Sequence, residues 1–150
     1  YPDWICYIIG DGPLLENAKQ YSKSDNIPNI FFTGFVEPAK YFRLSKINLL
    51  LSEWEGFGLV NVEAMSYGSV PVCLNSYLAA SDIITNGQNG ILLKYPYKLS
   101  SAIENVSELI DNPELLRQMS LNGYISRRYY DMDNILKLWS DLLQNLEQKS

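Results

Sequence analysis

The chain has 150 residues, 47% of them hydrophobic, which suits one globular domain with a full core. Its net charge of −5 argues against a nucleic-acid partner, which selects for a basic face, and no run of about 18 apolar residues is present to span a bilayer. Histidine is absent, so within this chain serine triads, Cys-His pairs and His-based metal catalysis are excluded, and its two distant cysteines cannot make a zinc site. Chemistry must rest on carboxylates, backbone amides or the substrate itself. Cys6 and Cys73 both lie in apolar, strand-like runs and are expected to be buried, reduced thiols. Tyr1-Pro2-Asp3-Trp4 has neither the basic flank nor the apolar stretch of a signal peptide, so the expected compartment is the cytoplasm.

Short apolar runs alternate with amphipathic ones, the pattern of βαβ units and a parallel sheet. Trp4–Ile9 reads as a buried strand stopped by Gly10-Asp11-Gly12-Pro13. Pro13 suits the opening of a helix, where the missing N–H has no intrahelical partner, and Leu14, Leu15 and Ala18 give that helix an inward face. Ile30–Thr33 is a second strand, followed by Gly34-Phe35-Val36 and a helix from about Pro38 to Ser45. Ile47–Leu51 is a third strand, continuously apolar as a central parallel strand should be. A helix over Leu59–Tyr67, closed by Gly68, leads to a strand over Val70–Leu74. A short helix over Ala80–Ile84, an Asn86-Gly87 turn and a strand over Ile91–Lys94 follow. Three helices end the chain, at about Lys98–Ile110, Pro113–Arg128 and Asp133–Gln148. The expected fold is a single α/β domain, Rossmann-like and three-layered, with about five mostly parallel strands.

In open parallel sheets ligands bind beyond the carboxyl ends of the strands. Four of the five loops there read GDGP, TGFV, SEWEGFG and NSYLA, and three of them are rich in glycine. Gly56 and Gly58 lie just before a helix whose first free N–H groups belong to about Leu59, Val60 and Asn61. A helix N-terminus joins unpaired donors to a partial positive charge, and flanking glycines remove the Cβ atoms that would hold an anion away. Glu55 before this turn and Glu63 one turn inside the helix would accept hydrogen bonds from hydroxyls on either side of a diphosphate. The same residues also fit a plain strand-to-helix connection with Glu63 solvated, because a lone GxG is a weak signal. Trp54 either stacks on a sugar or covers the loop. Ile135, Leu138, Trp139, Leu142 and Leu146 share one face of the last helix, either as core or as an exposed contact that would favour dimers. Arg127-Arg128-Tyr129-Tyr130 reads as a solvated helix end or a membrane-surface contact.

Glu55 through Glu63 form E-x7-E, and the stretch EGFGLVNVEAMSYGSVPV resembles the signature of family 4 glycosyltransferases, which have the GT-B fold. The resemblance runs in order along nearly the whole chain. Ile8–Leu14 is similar to that family's loop before the nucleotide site, and Phe32–Val36 to its base-contacting loop. Asn86–Leu92 is similar to its DGxNGxL-type turn, and Asp111–Leu115 to its interhelix joint. The resemblance implies half of a GT-B fold: the C-terminal, donor-binding domain over residues 1–150, truncated at its N-terminus. It implies retention of anomeric configuration, no divalent metal or other cofactor, and a nucleotide diphosphate sugar as ligand, with UDP-hexose favoured.

Residue by residue, the resemblance gives Glu55 the hydroxyls of the donor sugar and the catalytic role. Backbone amides at Phe57, Gly58 and Leu59 would hold the sugar and distal phosphate, Glu63 the ribose, and main-chain atoms at Val36 the base. Gly10 and Gly12 would give the nucleotide room. Further implied are a glycan or lipid-linked acceptor, a missing N-terminal acceptor domain, peripheral association of the full enzyme with the cytoplasmic face of a membrane, and no turnover by this chain alone.

Two departures stand out. Leu78-Ala79-Ala80-Ser81-Asp82 replaces the family's Gly-Gly-x-x-Glu, keeping the acid but not the glycines. The resemblance implies a preceding strand and helix, whose Gly-Arg turn and Lys-Gly pair clamp the diphosphate, and Tyr1 is expected to lie after them. Without that central strand, Trp4–Ile9 and Ile47–Leu51 would face each other across a gap, and either direct pairing or filling by another chain is expected. A GT-B epimerase or phosphorylase and a non-catalytic nucleotide-binding module are the alternatives. A dehydrogenase is disfavoured because no GxGxxG follows the first strand.

Overall fold

The computed structural model describes residues 1–147, so Gln148, the expected end of the last helix, lies outside the described residues. Two compact units form, Tyr1–Tyr41 and the chain from Phe42 onward. All ladders between strands are parallel. They fall into a two-stranded and a three-stranded sheet.

The first unit contains β1 (Cys6–Ile9), α1 (Leu15–Ser24), β2 (Ile30–Gly34) and the start of α2 (Ala39–Leu44). β1 pairs with β2 from Cys6 opposite Ile30 to Ile9 opposite Gly34, with a shift of register at Ile8/Ile9. Two expectations fail in this unit. β1 is exposed along its whole length, Cys6 included, and β2 is the one strand that pairs with it among the described residues. The helix also turns a different face inward. Leu14 and Ala18 are exposed, whereas the half-buried Leu15 and Lys19 lead to the buried Ser22, a spacing of four and three residues that follows the true helix start at Leu15.

The second unit contains β3 (Ile47–Leu50), α3 (Leu59–Ser66), β4 (Val70–Asn75), α4 (Leu78–Ile83), β5 (Ile91–Lys94), α5 (Leu99–Asp111), α6 (Pro113–Ser126), a 3-10 turn (Arg127–Tyr130) and α7 (Met132–Glu147). The strand order is β3-β4-β5. β4 is therefore the central strand, and the apolar β3 is an edge of its sheet with Leu49 exposed, contrary to its reading as a central strand.

Val70, Val72 and Cys73 are fully buried, and α3, α4 and α6 all pack on β4. Burying the apolar side chains of such a strand stabilises the fold by roughly 25 cal/mol for each Å² removed from water. Gly68 closes α3 in the left-handed region at φ +79°, with its own N–H and that of Ser69 returned to Met65 and Ala64. Asn112 caps α6 by accepting from the Leu115 N–H at 3.1 Å, and Pro113 occupies the first turn. α7 contains no buried residue. Leu138, Trp139, Leu142 and Leu146 are exposed and only Ile135 is half-buried, so its apolar face is not core.

The turn between α4 and β5 is held from inside by Asn89. Its side chain accepts from the Thr85 N–H at 2.7 Å and donates to the Ile83 carbonyl and the Ser126 hydroxyl. Beside it, Gly90 lies so close to β4 that a Cβ would meet the Pro71 carbonyl oxygen at 2.7 Å and its Cγ at 2.8 Å. Gly90→Ala is therefore expected to destabilise the fold by about 1–3 kcal/mol, read as a lower urea midpoint with an unchanged slope.

Candidate functional site

In the first unit, Gly10 takes φ +133° and pairs with Gly34, its N–H donating to the Gly34 carbonyl at 2.9 Å. Only glycine adopts that backbone conformation with ease. The pairing brings the Gly10–Gly12 loop alongside the loop that carries Val36. The Asp11 carboxylate accepts from the Gly12 N–H at 2.7 Å, and Val36 is half-buried behind an exposed Phe35. No Cβ placed at Gly10 or Gly12 would meet another atom within 4 Å, so both glycines border open space.

In the second unit, the loops leaving β3 and β4 are tied together by the Ser76 hydroxyl, which donates to the Ser52 carbonyl at 3.2 Å. The Ser52 hydroxyl donates to the Glu55 carboxylate at 2.7 Å, fixing that half-buried side chain just before the turn. Gly58 is the N-cap of α3, in the left-handed region at φ +81°, and no side chain caps the helix. The Asn61 N–H is taken by the Gly58 carbonyl at 2.9 Å, so Asn61 is not one of the free donors expected from the sequence. The N–H groups of Leu59 and Val60 have no acceptor among the described residues. Unpaired donors and the positive end of the helix dipole coincide there, a setting that favours an anion. Glu63 is exposed on the next turn.

Gly58 is constrained twice. Its φ suits glycine, and a Cβ would press into the Tyr77 hydroxyl and stand 3.0 Å from the ring carbon Cζ. Tyr77 reaches this position from the end of the β4–α4 loop, where it accepts from Asn61 Nδ2 at 3.0 Å and lies 3.1 Å from Cys73 Sγ. Burial pushes the Tyr77 phenol and the Cys73 thiol up, and the nearby Glu55 charge adds to both shifts. Tyr130 fastens the turn from another side. Its ring meets Phe57 edge-on at 5.7 Å, and its hydroxyl donates to the Asp82 carbonyl at 2.8 Å. Arg127 is half-buried over the Tyr124 ring and paired with Asp131, while Arg128 and Tyr129 are exposed. Trp54 is 85% exposed and does not cover the loop.

Thus the structure groups Glu55, Phe57, Gly58 and Leu59 at the head of α3 with Glu63 one turn on, and in the other unit sets Gly10 and Gly12 beside the Val36 loop. Sequence reasoning missed Tyr77, Tyr130 and the side chain of Asn61, because Tyr77 meets Asn61 across 16 residues of chain and Tyr130 meets Asp82 and Phe57 across 48 and 73. Among the described residues no three His, Cys, Asp or Glu side chains are grouped as metal ligands, and no helix is long and apolar enough to cross a membrane.

A family model described as glycosyl transferases group 1 matches residues 1–126. The chain belongs to that family. An uncharacterised glycosyltransferase of Haemophilus influenzae is 30% identical over 145 residues, covering 95% of this chain and 41% of the other. The chain thus spans about two fifths of that relative's length. Among solved structures, the C-terminal domain of a glycosyl transferase group 1 protein from Francisella tularensis is 27% identical with a TM-score of 0.80, covering 88% of this chain and 72% of that one. Anabaena HepE, solved with UDP and glucose, is 20% identical with a TM-score of 0.80 over 94% of this chain and 40% of its own. The fold of this family member is the Rossmann-like α/β domain of GT-B glycosyltransferases.

The raised thiol and phenol set an alkaline limit on stability. Free in an unfolded chain these groups titrate near 9.0 and 10.0, while the folded protein keeps both protons to higher pH. The folded state then binds more protons than the unfolded one, so stability is whole below about pH 9 and declines as the pH rises past it. Thermal melts across pH 7 to 11 are expected to show that decline, and Tyr77→Phe is expected to make it shallower.

Proposed function

We propose that this chain is the donor-binding domain of a retaining, metal-independent family 4 glycosyltransferase that takes a nucleotide diphosphate sugar, UDP-hexose by preference, and serves transfer to a glycan or lipid-linked acceptor. The observation that carries the reading is the uncapped head of α3, where the Leu59 and Val60 N–H groups have no acceptors among the described residues and follow a left-handed Gly58. The UDP and glucose held by Anabaena HepE support the choice of nucleotide.

In this reading the amides at Phe57, Gly58 and Leu59 take the distal phosphate and the sugar, Glu55 the sugar hydroxyls, and Glu63 the ribose hydroxyls. Main-chain atoms at Val36 read the base, and the Gly10–Gly12 loop leaves room for the nucleotide. Transfer breaks the bond from the anomeric carbon to phosphate and forms one from that carbon to the acceptor oxygen on the same face. The acceptor's proton passes to the departing phosphate oxygen, so the protein needs no histidine. What the protein supplies is stabilisation of negative charge on the leaving diphosphate by fixed dipoles, which is worth most in a water-poor site. The acceptor is held by a domain outside this chain, and the full enzyme works at the cytoplasmic face of a membrane.

Calorimetric titration of the full-length protein with UDP, GDP and ADP, without divalent metal, tests the reading. UDP is expected to bind most tightly, and Glu63→Ala to weaken it by roughly 10-fold or more, the worth of a hydrogen bond to a charged group. No binding by any of the three sinks the proposal, and UDP affinity indifferent to Glu63→Ala sinks the ribose assignment. Glu55→Gln should leave UDP binding intact, since UDP carries no donor sugar for the carboxylate to hold, while lowering sugar transfer by about 100-fold.

A further inference from the structure

Tyr77 holds none of the roles given above, yet its hydroxyl and ring lie where a Cβ at Gly58 would stand. Three polar side chains form a row beneath the turn. Asn61 Nδ2 donates to the Tyr77 hydroxyl at 3.0 Å, that hydroxyl lies 3.1 Å from Cys73 Sγ, and the Cys73 thiol donates to the Leu74 carbonyl at 3.2 Å. With the thiol proton committed to the carbonyl, the phenol proton is left for the sulfur, and the row runs in one direction from helix α3 into strand β4. At its head Asn61 is fully buried, and its Oδ1 has no partner. A leucine of nearly the same size would bury no orphan oxygen, so asparagine at this position is costly to the fold. Residues that are poor choices for stability mark places where a different requirement is being met.

That requirement is legible in the geometry at Gly58. The tyrosine ring and hydroxyl lie directly against its α-carbon, leaving no space for a Cβ. The side chain thus sets where the Gly56–Gly58 turn can sit relative to the first turn of α3, and Asn61 belongs to that same first turn.

We propose that Tyr77 is a positioning residue for the diphosphate: its hydroxyl, held between Asn61 and Cys73, props the Gly56–Gly58 turn so that the free amides at the head of α3 meet a phosphate. This rests on the donor-binding reading above and extends it to residues that touch no ligand. Amide donors aimed at an anion lose most of their effect when displaced by a fraction of an ångström, which is why a prop that makes no contact itself can matter.

Calorimetric titration separates positioning from simple support of the fold. The full-length protein, Tyr77→Phe and Asn61→Leu are each titrated with whichever of UDP, GDP and ADP binds best, and with the corresponding nucleoside. Each substitution is expected to weaken the diphosphate by about fivefold, the worth of one neutral hydrogen bond. Nucleoside affinity should be unmoved in both, and Asn61→Leu should hold or raise the melting temperature. Equal losses for nucleoside and diphosphate, or diphosphate affinity unchanged in both variants, overturns the proposal. Should Tyr77→Phe fold poorly, Asn61→Leu alone decides, since it removes the same bond from the other side. Failure of the unsubstituted protein to bind any of the nucleotides overturns the donor-binding reading and this inference together. Normal binding by the parent and both variants overturns this inference alone.

Discussion

The second unit is organised by the burial of β4. A parallel strand with neighbours on both edges and helices packed on it has no solvent to satisfy its backbone, so its ladders with β3 and β5 must be complete. The register that results, Leu49 opposite Val72 and Leu74 opposite Leu93, fixes where every connecting loop leaves the sheet. α3 enters β4 through Gly68 and Ser69, and α4 leaves it through Ser76 and Tyr77. The head of α3 follows β3 and Tyr77 follows β4, so the candidate site draws on the carboxyl ends of two neighbouring strands. The Ser76–Ser52 hydrogen bond between the loops after β4 and β3 follows directly from the parallel arrangement, which puts their carboxyl ends on the same side.

At the head of α3 the local chemistry is governed by what is missing. A helix that begins with serine, threonine or aspartate uses a side chain to absorb its first N–H groups. This one begins with a left-handed glycine and absorbs only the third, through a backbone carbonyl. The surrounding structure holds that costly arrangement in place from three directions: Ser52 on Glu55, Tyr130 on Phe57, and Tyr77 under Gly58. None of these contacts contributes to the helix itself. Their joint effect is to fix the turn from which the Leu59 and Val60 N–H groups, without acceptors among the described residues, follow.

Most of the fold was legible because its elements are encoded locally. Strand β5 matches its expected bounds, the other strands differ by one or two residues at their ends, and α4 starts two residues early at Leu78. Burial was less legible, since an apolar run shows what a segment can cover and not whether anything covers it. Cys6–Ile9 and the apolar side of α7 have the composition of core, and both are exposed. Ile47–Leu50 has the composition of a central strand and lies at an edge. In each case the neighbour that would complete the burial is absent among the described residues.

Local sequence was enough for the α/β class, the parallel pairing, the likeness to glycosyltransferases and the position of the GFG turn before α3. These follow from hydrophobic period, glycine placement and motif order, all properties of neighbouring residues. Which N–H groups at that turn stay free, and which side chains hold it there, depends on long-range packing. Tyr77 and Tyr130 act on Gly58 and Phe57 across 19 and 73 residues of chain. No local pattern marks them, because a contact between distant residues exists only once the strand between them has been buried in register.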